Sequence, residues 1–422
     1  MKYEKIEKDG FRIHIIKTNK FKTVTICINF KQKVKKEDIT IRRVLSQTLL
    51  ESSNKYSSRR LLERETEDLY ALSISESDYL SGNYDVMEFS TTFLNEKYTE
   101  LNMNNRSLEF LLQIICNPDI INNKFNEESL EISKRIINDN IKSIKENPNG
   151  YSIIKLKEKM APKKPISYIN SGYIKDLKKI NPENLYLYYK KMINDDILDI
   201  SIIGDIDSKE YIKLIDNYFS FRKKNEKSES HFLPQLKVPK KEKIVIEKLP
   251  INQSKLAIGC VFERLTDFEL RYVLSIYSFI LGGSGDSLLF KNIREENSLC
   301  YSVNSTYNIV NGLFVITAGI NASDLEKTVN LTKENLEKMK KGDFDESEIK
   351  KAKTIFKNSC ISITDSPKNI LNTYLSHEYI NSDLLGDRLN KIEQVTKDMV
   401  VSLANKIHIH TIYLLEGDCD ER

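Results

Sequence analysis

Apolar residues alternate with other residues along two short segments, one in each half of the chain. The first segment is VTICINF at 24–30, and the second is KLAIGCVF at 255–262. Alternation with a period of two predicts half-buried β-strands. A helix-like stretch follows each segment, at 41–51 and at 269–281. Both halves are therefore predicted to begin with a strand that is followed by a helix.

Longer stretches have the spacing of amphipathic helices. Residues 127–145 carry apolar side chains at helical intervals, among them Leu130, Ile137 and Ile141, and a second such stretch covers 323–339. Strands and helices are mixed without strict alternation, which disfavours a doubly wound parallel sheet. The predicted fold class is α+β, with helices packed on one face of a largely antiparallel sheet.

The order of the elements repeats in the second half of the chain. LLERETEDLYALSIS corresponds to LLFKNIREENSLCYSVNS, and KFNEESLEISKRIINDNIKSIKENP corresponds to DFDESEIKKAKTIFKNSCISITDSP. Matched residues lie at similar separations: 219 for Phe125 and Phe344, 219 for Pro148 and Pro367, and 230 for Leu69 and Leu299. Several similar segments in the same order predict an internal duplication.

The two halves are separated by a segment of different composition. Between residues 223 and 243 the apolar periodicity ends, while charged residues, Ser and two prolines accumulate. We therefore predict an N-terminal domain at 1–222, a linker at 223–243 and a C-terminal domain at 244–422, with the two domains homologous to each other.

Charge and apolar run length limit the classes of partner. The net charge is +4, and Lys and Glu interleave along most of the chain, so we expect no nucleic-acid partner. The longest apolar run, at 272–281, is about half a membrane span. The first ten residues, MKYEKIEKDG, lack the apolar stretch of a secretory signal. These features predict a cytoplasmic protein without a membrane span.

Cysteine and histidine are both spaced poorly for metal binding. The six cysteines form no CxxC pair, which predicts reduced and mostly buried thiols; they are Cys27, Cys116, Cys260, Cys300, Cys360 and Cys419. His408 and His410 alternate in a strand-like segment, but no third ligand stands out. We interpret them as solvated or hydrogen-bonded strand residues. His377 lacks a second histidine at helical spacing, and His231 falls in the predicted linker.

The most specific segment is 281–301, LGGSGDSLLFKNIREENSLCY. Its glycine turn, its Ser-x-Leu-Phe and Arg-Glu pairs and its final Leu-x-Tyr-Ser resemble the C-terminal half of the pitrilysin/insulinase class, which includes the mitochondrial processing peptidases. The duplicated halves and the linker extend this resemblance over most of the chain. These proteins are inverted zinc peptidases. Their N-terminal half carries H-x-x-E-H on one helix and a further glutamate on a later helix.

The positions that match this zinc motif carry other residue types. The resemblance places the two histidines at Arg43 and Gln47, the general base at Ser46 and the later glutamate at Asn140. Zinc requires imidazole, thiolate or carboxylate ligands. An arginine, two amides and a hydroxyl do not provide them. We therefore expect no metal and no cofactor in this chain, with zinc only in a partner chain, and no catalytic residue in the isolated chain.

Two further residues match the family pattern. In the family, an arginine and a tyrosine seven residues apart contact the substrate backbone, and they resemble Arg294 and Tyr301. Donors of this kind stabilise a developing oxyanion. The alternative is structural: Arg294 pairs with Glu295 or Glu296 on a surface helix, and Tyr301 is an interface aromatic. Both interpretations stay open at this stage.

The resemblance implies a non-catalytic subunit of a heterodimeric metallopeptidase. In two-chain members of the family, one chain binds zinc and the other closes the peptide chamber. We expect a zinc-bearing H-x-x-E-H homologue as partner, or a second copy of the chain, and a peptide or unfolded segment as ligand. The segments at 54–58 and 68–71 resemble a zinc-less bacterial subgroup of the YfmF type, some members of which are associated with 5-aminopentanol modification of elongation factor P.

Two other functions were considered. The first is a non-enzymatic scaffold or binding protein with the same fold, like the core subunits of respiratory complexes. The second is an independent enzyme with other chemistry, which has little support because the sequence has no Gly-x-Ser-x-Gly elbow and no phosphate-binding loop.

Overall fold

A computed structural model describes residues 1–223 and 230–417 of the chain. Cys419 and residues 224–229 of the predicted linker lie outside this range. The strands are β1 Lys2–Lys8, β2 Phe11–Lys17, β3 Thr23–Lys33, β4 Ser73–Ser81, β5 Tyr84–Leu94, β6 Ile120–Ile121, β7 Lys124–Phe125, β8 Ile197–Gly204, β9 Lys243–Lys248, β10 Ser254–Phe262, β11 Cys300–Asn308, β12 Leu313–Ile320 and β13 Ile407–Glu416.

The helices alternate irregularly with these strands. They are α1 Lys36–Leu49, α2 Arg59–Asp68, α3 Met103–Cys116, α4 Glu127–Ser143, α5 Pro148–Met160, α6 Ile174–Leu177, α7 Pro182–Asp195, α8 Ser208–Phe219, α9 Leu274–Gly282, α10 Leu325–Lys341, α11 Glu346–Ile363, α12 Pro367–Ile380, α13 Leu385–Glu393 and α14 Lys397–Ala404. Two π-helical segments, Glu269–Val273 and Phe290–Glu296, precede α9 and β11. Within the described residues, no helix is long and apolar enough to cross a membrane.

The strands form two larger sheets with the same topology. The six-stranded sheet has the order β1-β2-β8-β3-β5-β4, and the five-stranded sheet has the order β11-β12-β10-β13-β9. The second order, read backwards, matches the first from β2 to β4. Each sheet contains one parallel pair, β2 with β8 and β9 with β13, and its other neighbours are antiparallel. The predicted α+β class and the predicted duplication are both confirmed.

The chain divides into two compact units. The first unit comprises Met1–Lys142, Ile169–Ser230 and Ser366–Tyr379, and the second comprises Ser143–Tyr168, His231–Asp365 and the chain from Ile380 onward. Most of α12 therefore belongs to the first unit, and α5 belongs to the second. The predicted domain boundaries at 222 and 244 divide the sequence into two halves, and they stay a prediction.

Each sheet has an apolar core on one face. In β3, Val24, Ile26 and Ile28 are fully buried and contribute to the core of the first unit. In β10, Ile258 and Cys260 contribute to the corresponding core of the second unit. The helices that follow these central strands, α1 and α9, pack their apolar faces into the same cores. Burial of such surface is the dominant favourable term in folding.

A single helix packs on the second face of each sheet. In the second unit, α5 packs on β10 and β13 through Leu156 and Met160. In the first unit, Ile370 and Leu371 of α12 pack beside Cys27 in a smaller apolar cluster. The two helices begin at Pro148 and Pro367, the prolines that the duplication relates. The helices that begin at the repeated prolines thus have the same role in different units.

The second face of the first sheet also holds a buried charge, Asp199 of β8, which is fully buried. Arg12 binds its two carboxylate oxygens at 2.6 and 2.9 Å. The Lys31 ammonium lies 3.0 Å from the carboxylate, and the Tyr379 hydroxyl donates to it at 2.9 Å. Burial would raise the pKa of Asp199, but Lys31, His14 and Arg12 hold it well below its usual value. Asp199 therefore joins three strands and α12.

Replacement of Asp199 by Asn should destabilise the protein strongly. The change leaves the buried charges of Arg12 and Lys31 without their carboxylate, and the loss of one partner from a buried ion pair typically costs about 3–5 kcal/mol. The free energy of unfolding in urea measures the effect. Asp216→Asn is the matched control, because Asp216 pairs with Lys8 at the surface, where ion pairs contribute about 0–1 kcal/mol. Equal losses in the two variants would contradict this account of Asp199.

Candidate functional site

Helix α1 presents three of the four positions that match the zinc motif. It begins after an extended Lys35 and carries Glu37 and Asp38 in its first turn, where the helix dipole favours acidic side chains. Arg43, Ser46 and Gln47 are spaced by three and four residues, so they lie on one helical face. Helix α1 thus retains the geometry of the motif and replaces its residue types.

A guanidinium group is present where the motif has its first histidine. Arg43 is 4% exposed. Its Nη1 donates to Asp85 of β5 at 2.8 Å, and its Nε and Nη2 donate to the backbone and side-chain oxygens of Asn170 at 2.8 and 3.1 Å. Asp78 of β4 lies 3.9 Å from the same Nη1. The positive charge at this position is therefore that of an arginine side chain, which hydrogen bonds hold in a buried environment.

Ser46 belongs to the same buried cluster. Its hydroxyl donates to the Asp78 carboxylate and lies 3.1 Å from the backbone oxygen of Arg43. Burial raises the pKa of Asp78 to about 6, while Arg43 and Ser46 act in the opposite direction. A hydroxyl that already donates to a carboxylate is a poor general base, because its lone pairs remain far less basic than a carboxylate.

The preceding residue, Arg42, adds a second buried guanidinium. It is fully buried and donates to Asp196 at 2.6 Å and to the Phe30 carbonyl at 2.9 Å, and its Nε lies 3.6 Å from Asp85. Arg42 and Arg43 thus share the Asp85 carboxylate between them. The sequence alone did not indicate a role for Arg42, Asp85 or Asp196. Each of these charged residues lies next to apolar strand or helix positions in the sequence, which is the pattern that could have indicated a buried ion pair.

The other two motif positions do not join this cluster. The Gln47 amide donates to Glu51 at 3.0 Å within the same helix, and Asn140 is exposed on α4. The structure thus brings Arg43 and Ser46 together through Asp78, with Gln47 one turn away on α1.

These residues do not fit a zinc ion. The carboxylates beside α1, Asp78 and Asp85, face guanidinium groups. The positive charges of these guanidinium groups would repel a divalent cation placed there. Asn and Gln are neutral amides, which zinc sites rarely use. Within 1–223 and 230–417, no group of three or more His, Cys, Asp and Glu side chains could hold a metal ion. No hydrolytic step through a metal follows from this site.

The histidines of the last strand have protein partners. His408 lies 2.8 Å from a Glu263 carboxylate oxygen, and His410 lies 2.8 Å from the Thr411 hydroxyl. Burial lowers the pKa of His410. Both residues therefore have the hydrogen-bonded environment of ordinary strand residues.

Arg294 and Tyr301 form a stacked pair in the second unit. The Arg294 guanidinium lies 4.5 Å from the centroid of the Phe290 ring and 5.1 Å from that of Tyr301, within the range of cation–π interactions. Glu296 accepts a hydrogen bond from Asn292 instead. Among the described residues, Arg294 forms no salt bridge, so the alternative pairing with Glu295 or Glu296 is not formed.

The backbone around this pair is irregular. Arg294 lies in the π-helical segment Phe290–Glu296, and Ser298 has a φ of 54°, in the left-handed region. Tyr301 lies where the register of β11 on β12 shifts between Cys300 and Val303. π-Helical turns and β-bulges are both frequent at functional sites, where they redirect side chains. Tyr301 is consequently 79% exposed.

Comparisons with known proteins show which proteins this chain is similar to. Residues 179–356 match the family model described as "Peptidase M16 inactive domain". The chain is 28% identical over 417 residues to "Probable inactive metalloprotease YmfF" of Bacillus subtilis, a match that covers 98% of this chain and 97% of that protein. It is 25% identical over 292 residues to "Uncharacterized zinc protease YmxG" of the same organism, covering 67% and 69% of the two chains.

Solved structures share the fold over the whole chain. A conserved protein from Enterococcus faecalis superposes with a TM-score of 0.91 at 24% identity and covers 100% of both chains. A peptidase M16 inactive domain from Pseudomonas fluorescens gives a TM-score of 0.81 at 17% identity and covers 100% of this chain and 99% of its own.

The chain is thus similar in sequence and fold to the M16-family metalloproteases, and the match over nearly its whole length is to a relative named as a probable inactive member. The predicted resemblance to the pitrilysin/insulinase class is confirmed. The roles predicted for Arg43, Ser46, Gln47, Asn140, Arg294 and Tyr301 stay predictions.

Replacement of Arg43 by His should destabilise the chain, although it restores a residue of the zinc motif. The change leaves Asp85 without its 2.8 Å partner, a loss of about 3–5 kcal/mol for a buried pair. Urea unfolding, with and without added zinc, measures it, and zinc should not restore the loss. Arg59→His is the matched control, because Arg59 pairs with Glu63 on an exposed helix face, where such pairs contribute about 0.3–0.5 kcal/mol. A stable, zinc-binding Arg43→His variant would refute this.

Proposed function

We propose that this chain is the non-catalytic subunit of a two-chain metallopeptidase. It pairs with a zinc-bearing H-x-x-E-H homologue, closes the peptide chamber and contributes Arg294 and Tyr301 to the partner's site. The contrast between the two parts of the chain carries the proposal. The positions for zinc chemistry hold a buried cation, while Arg294 and Tyr301 form a prearranged pair with Tyr301 exposed.

The environment of Arg43 and Ser46 argues against hydrolysis by this chain alone through the family mechanism. That mechanism needs a metal-bound water and a carboxylate base. Arg43 offers a positive charge that is already paired with Asp85, and the Ser46 hydroxyl donates a hydrogen bond to Asp78. Another polypeptide must therefore supply the metal if the family reaction takes place.

The second part of the contrast suits a donor role. The Arg294 guanidinium lies over the Phe290 ring, and its N–H groups form no hydrogen bond among the described residues. A preoriented donor stabilises developing negative charge with little reorganisation. Such a pair is of use only if a peptide carbonyl reaches it, which is why we propose a peptide or unfolded segment as the ligand.

The relatives support a division of labour between two chains. One organism, Bacillus subtilis, has both a relative named as a probable inactive metalloprotease and another named as a zinc protease. We propose the zinc-protease type as the partner in preference to a second copy of this chain, because two copies would bring no zinc ligands. The association with elongation factor P modification and the cytoplasmic location stay predictions.

Arg294→Ala should reduce the peptidase activity of the assembled pair by about 10²–10³-fold in kcat, the usual effect of losing one oxyanion donor. The measurement uses this chain co-purified with the zinc-bearing homologue, with a peptide library as substrate. Zinc content and assembly should be unchanged, since Arg294 is remote in sequence from the degenerate zinc motif. Tyr301→Phe, which keeps the ring stacked on Arg294, should give a smaller loss.

The control variant is measured in the same assembly of this chain with the zinc-bearing homologue. Arg264→Ala removes an exposed arginine of the second unit and should leave kcat unchanged. Full activity in the Arg294→Ala pair would show that Arg294 is structural. The chain would then be a scaffold or binding protein with the peptidase fold.

A further inference from the structure

The duplication assigns a counterpart in the second unit to the degenerate zinc motif of the first. Helix α9 follows β10 as α1 follows β3, and α11 corresponds to α4 at the interval of 219, which relates Asn140 to Ser359. A cavity of about 360 Å³ lies at this counterpart between α9 and α11. We call it the α9 pocket; its lining includes Ser275, Ser278, Phe279, Ser359, Cys360 and Arg388.

Small side chains keep the pocket open. On α9, Ser275 and Ser278 are three residues apart, as Arg43 and Ser46 are on α1. In the first unit, the Arg43 side chain is buried and pairs with Asp85. In the second unit, the Ser278 hydroxyl hydrogen-bonds Ser305 of β11 at 3.2 Å. The helix after the central strand therefore carries a buried charged cluster in the first unit and lines an open pocket in the second.

The walls of the pocket are mostly apolar. Phe279, Ile355, Phe356 and Ile363 contribute rings and branched chains from α9 and α11. Pockets of roughly 300–1,000 Å³ with apolar walls and a few polar groups are typical of small-molecule sites. The volume and the lining together suit a compact apolar molecule.

Arg388 of α13 gives the pocket one positive charge. Its Nε donates to the Asp383 carbonyl at 2.6 Å, and its Nη2 donates to the Ser382 hydroxyl at 3.2 Å. The nearby Asp383 carboxylate binds Lys391 and the Tyr272 hydroxyl instead. In the described part of the chain, no carboxylate lies within salt-bridge distance of Arg388, so its guanidinium has no direct ion-pair partner there.

The positive charge of Arg388 acts on Cys360, a residue of the pocket wall. Burial raises the pKa of the Cys360 thiol, and Arg388 acts in the opposite direction. A second cavity of about 570 Å³ shares Phe279 and Ile355 with the α9 pocket. Its carboxylates are paired, Glu348 with Lys291 and Asp286 with Lys351. An anionic ligand group is therefore favoured at the Arg388 end.

We propose that the α9 pocket binds a small apolar molecule that carries one carboxylate. The apolar body packs between Phe279 and Phe356, and the carboxylate accepts hydrogen bonds from the Arg388 guanidinium. Arginine forms short, charge-assisted bonds with carboxylates, and the low polarity of the walls strengthens them. This site is separate from the role proposed for Arg294 and Tyr301 and does not depend on it.

Titration calorimetry of the full chain with octanoate and with octanol tests the proposal. Octanoate should bind at least about tenfold more tightly than octanol, since a hydrogen bond to a charged group contributes enough to change affinity by this factor. Arg388→Gln should weaken octanoate binding about tenfold and leave octanol binding unchanged. Ser359→Phe, which adds a ring from an exposed position on α11 into the pocket, should abolish the binding of both.

Two results would overturn the proposal. If Ser359→Phe retains wild-type octanoate affinity, the ligand binds elsewhere. If octanoate and octanol bind equally, or Arg388→Gln has no effect on octanoate, the pocket does not recognise a carboxylate. Arg264→Gln is the matched control for charge, because it removes an exposed arginine of the same unit, and it should change neither affinity.

Discussion

The ion pair between Arg43 and Asp85 determines what the first unit can bind. A buried carboxylate needs a cation close to it, because desolvation of an unpaired charge costs several kcal/mol. In a zinc peptidase of this fold, the metal is the cation beside α1. Here the cation is a guanidinium that the chain itself provides, held at 2.8 Å from Asp85 and supported by Asn170. The chain keeps the helix and the sheet of the fold, and a paired arginine occupies the position that matches a zinc ligand.

The duplicated architecture explains how one fold contains several kinds of site. Both sheets follow the same strand order, and both carry a helix directly after the central strand. In the first unit that helix supplies Arg43 to a buried ionic cluster. In the second unit the corresponding helix supplies serines to an open pocket, and the π-helical segment before β11 orients Arg294 against Phe290. The packing of each unit depends on the apolar face of the helix, so its other positions are free to diverge.

The sequence predicted those features that depend on local pattern or on residue type. Alternation at 24–30 and 255–262 located β3 and β10, and the repeated segments located both halves of the fold. The identity of the residues at 43, 46, 47 and 140 was enough to predict the loss of zinc ligands. Pairings between distant segments were not accessible. Asp85 is 42 residues from Arg43, and only the register of β5 brings the two together. The placement of α5 and α12 in different units was missed for the same reason. The stacking of Arg294 on Phe290, four residues earlier, was within reach of helical spacing, but the adjacent Glu295 and Glu296 suggested salt bridges instead.

Metal analysis of the isolated chain tests most directly whether the guanidinium has replaced zinc. The full chain is purified, equilibrated with zinc, freed of unbound ion and assayed for metal content and for peptide cleavage with and without a chelator. We predict far less than one zinc per chain and no cleavage that the chelator prevents. One zinc per chain, together with peptide cleavage that the chelator abolishes, would contradict the assignment of Arg43 as the cation of the site.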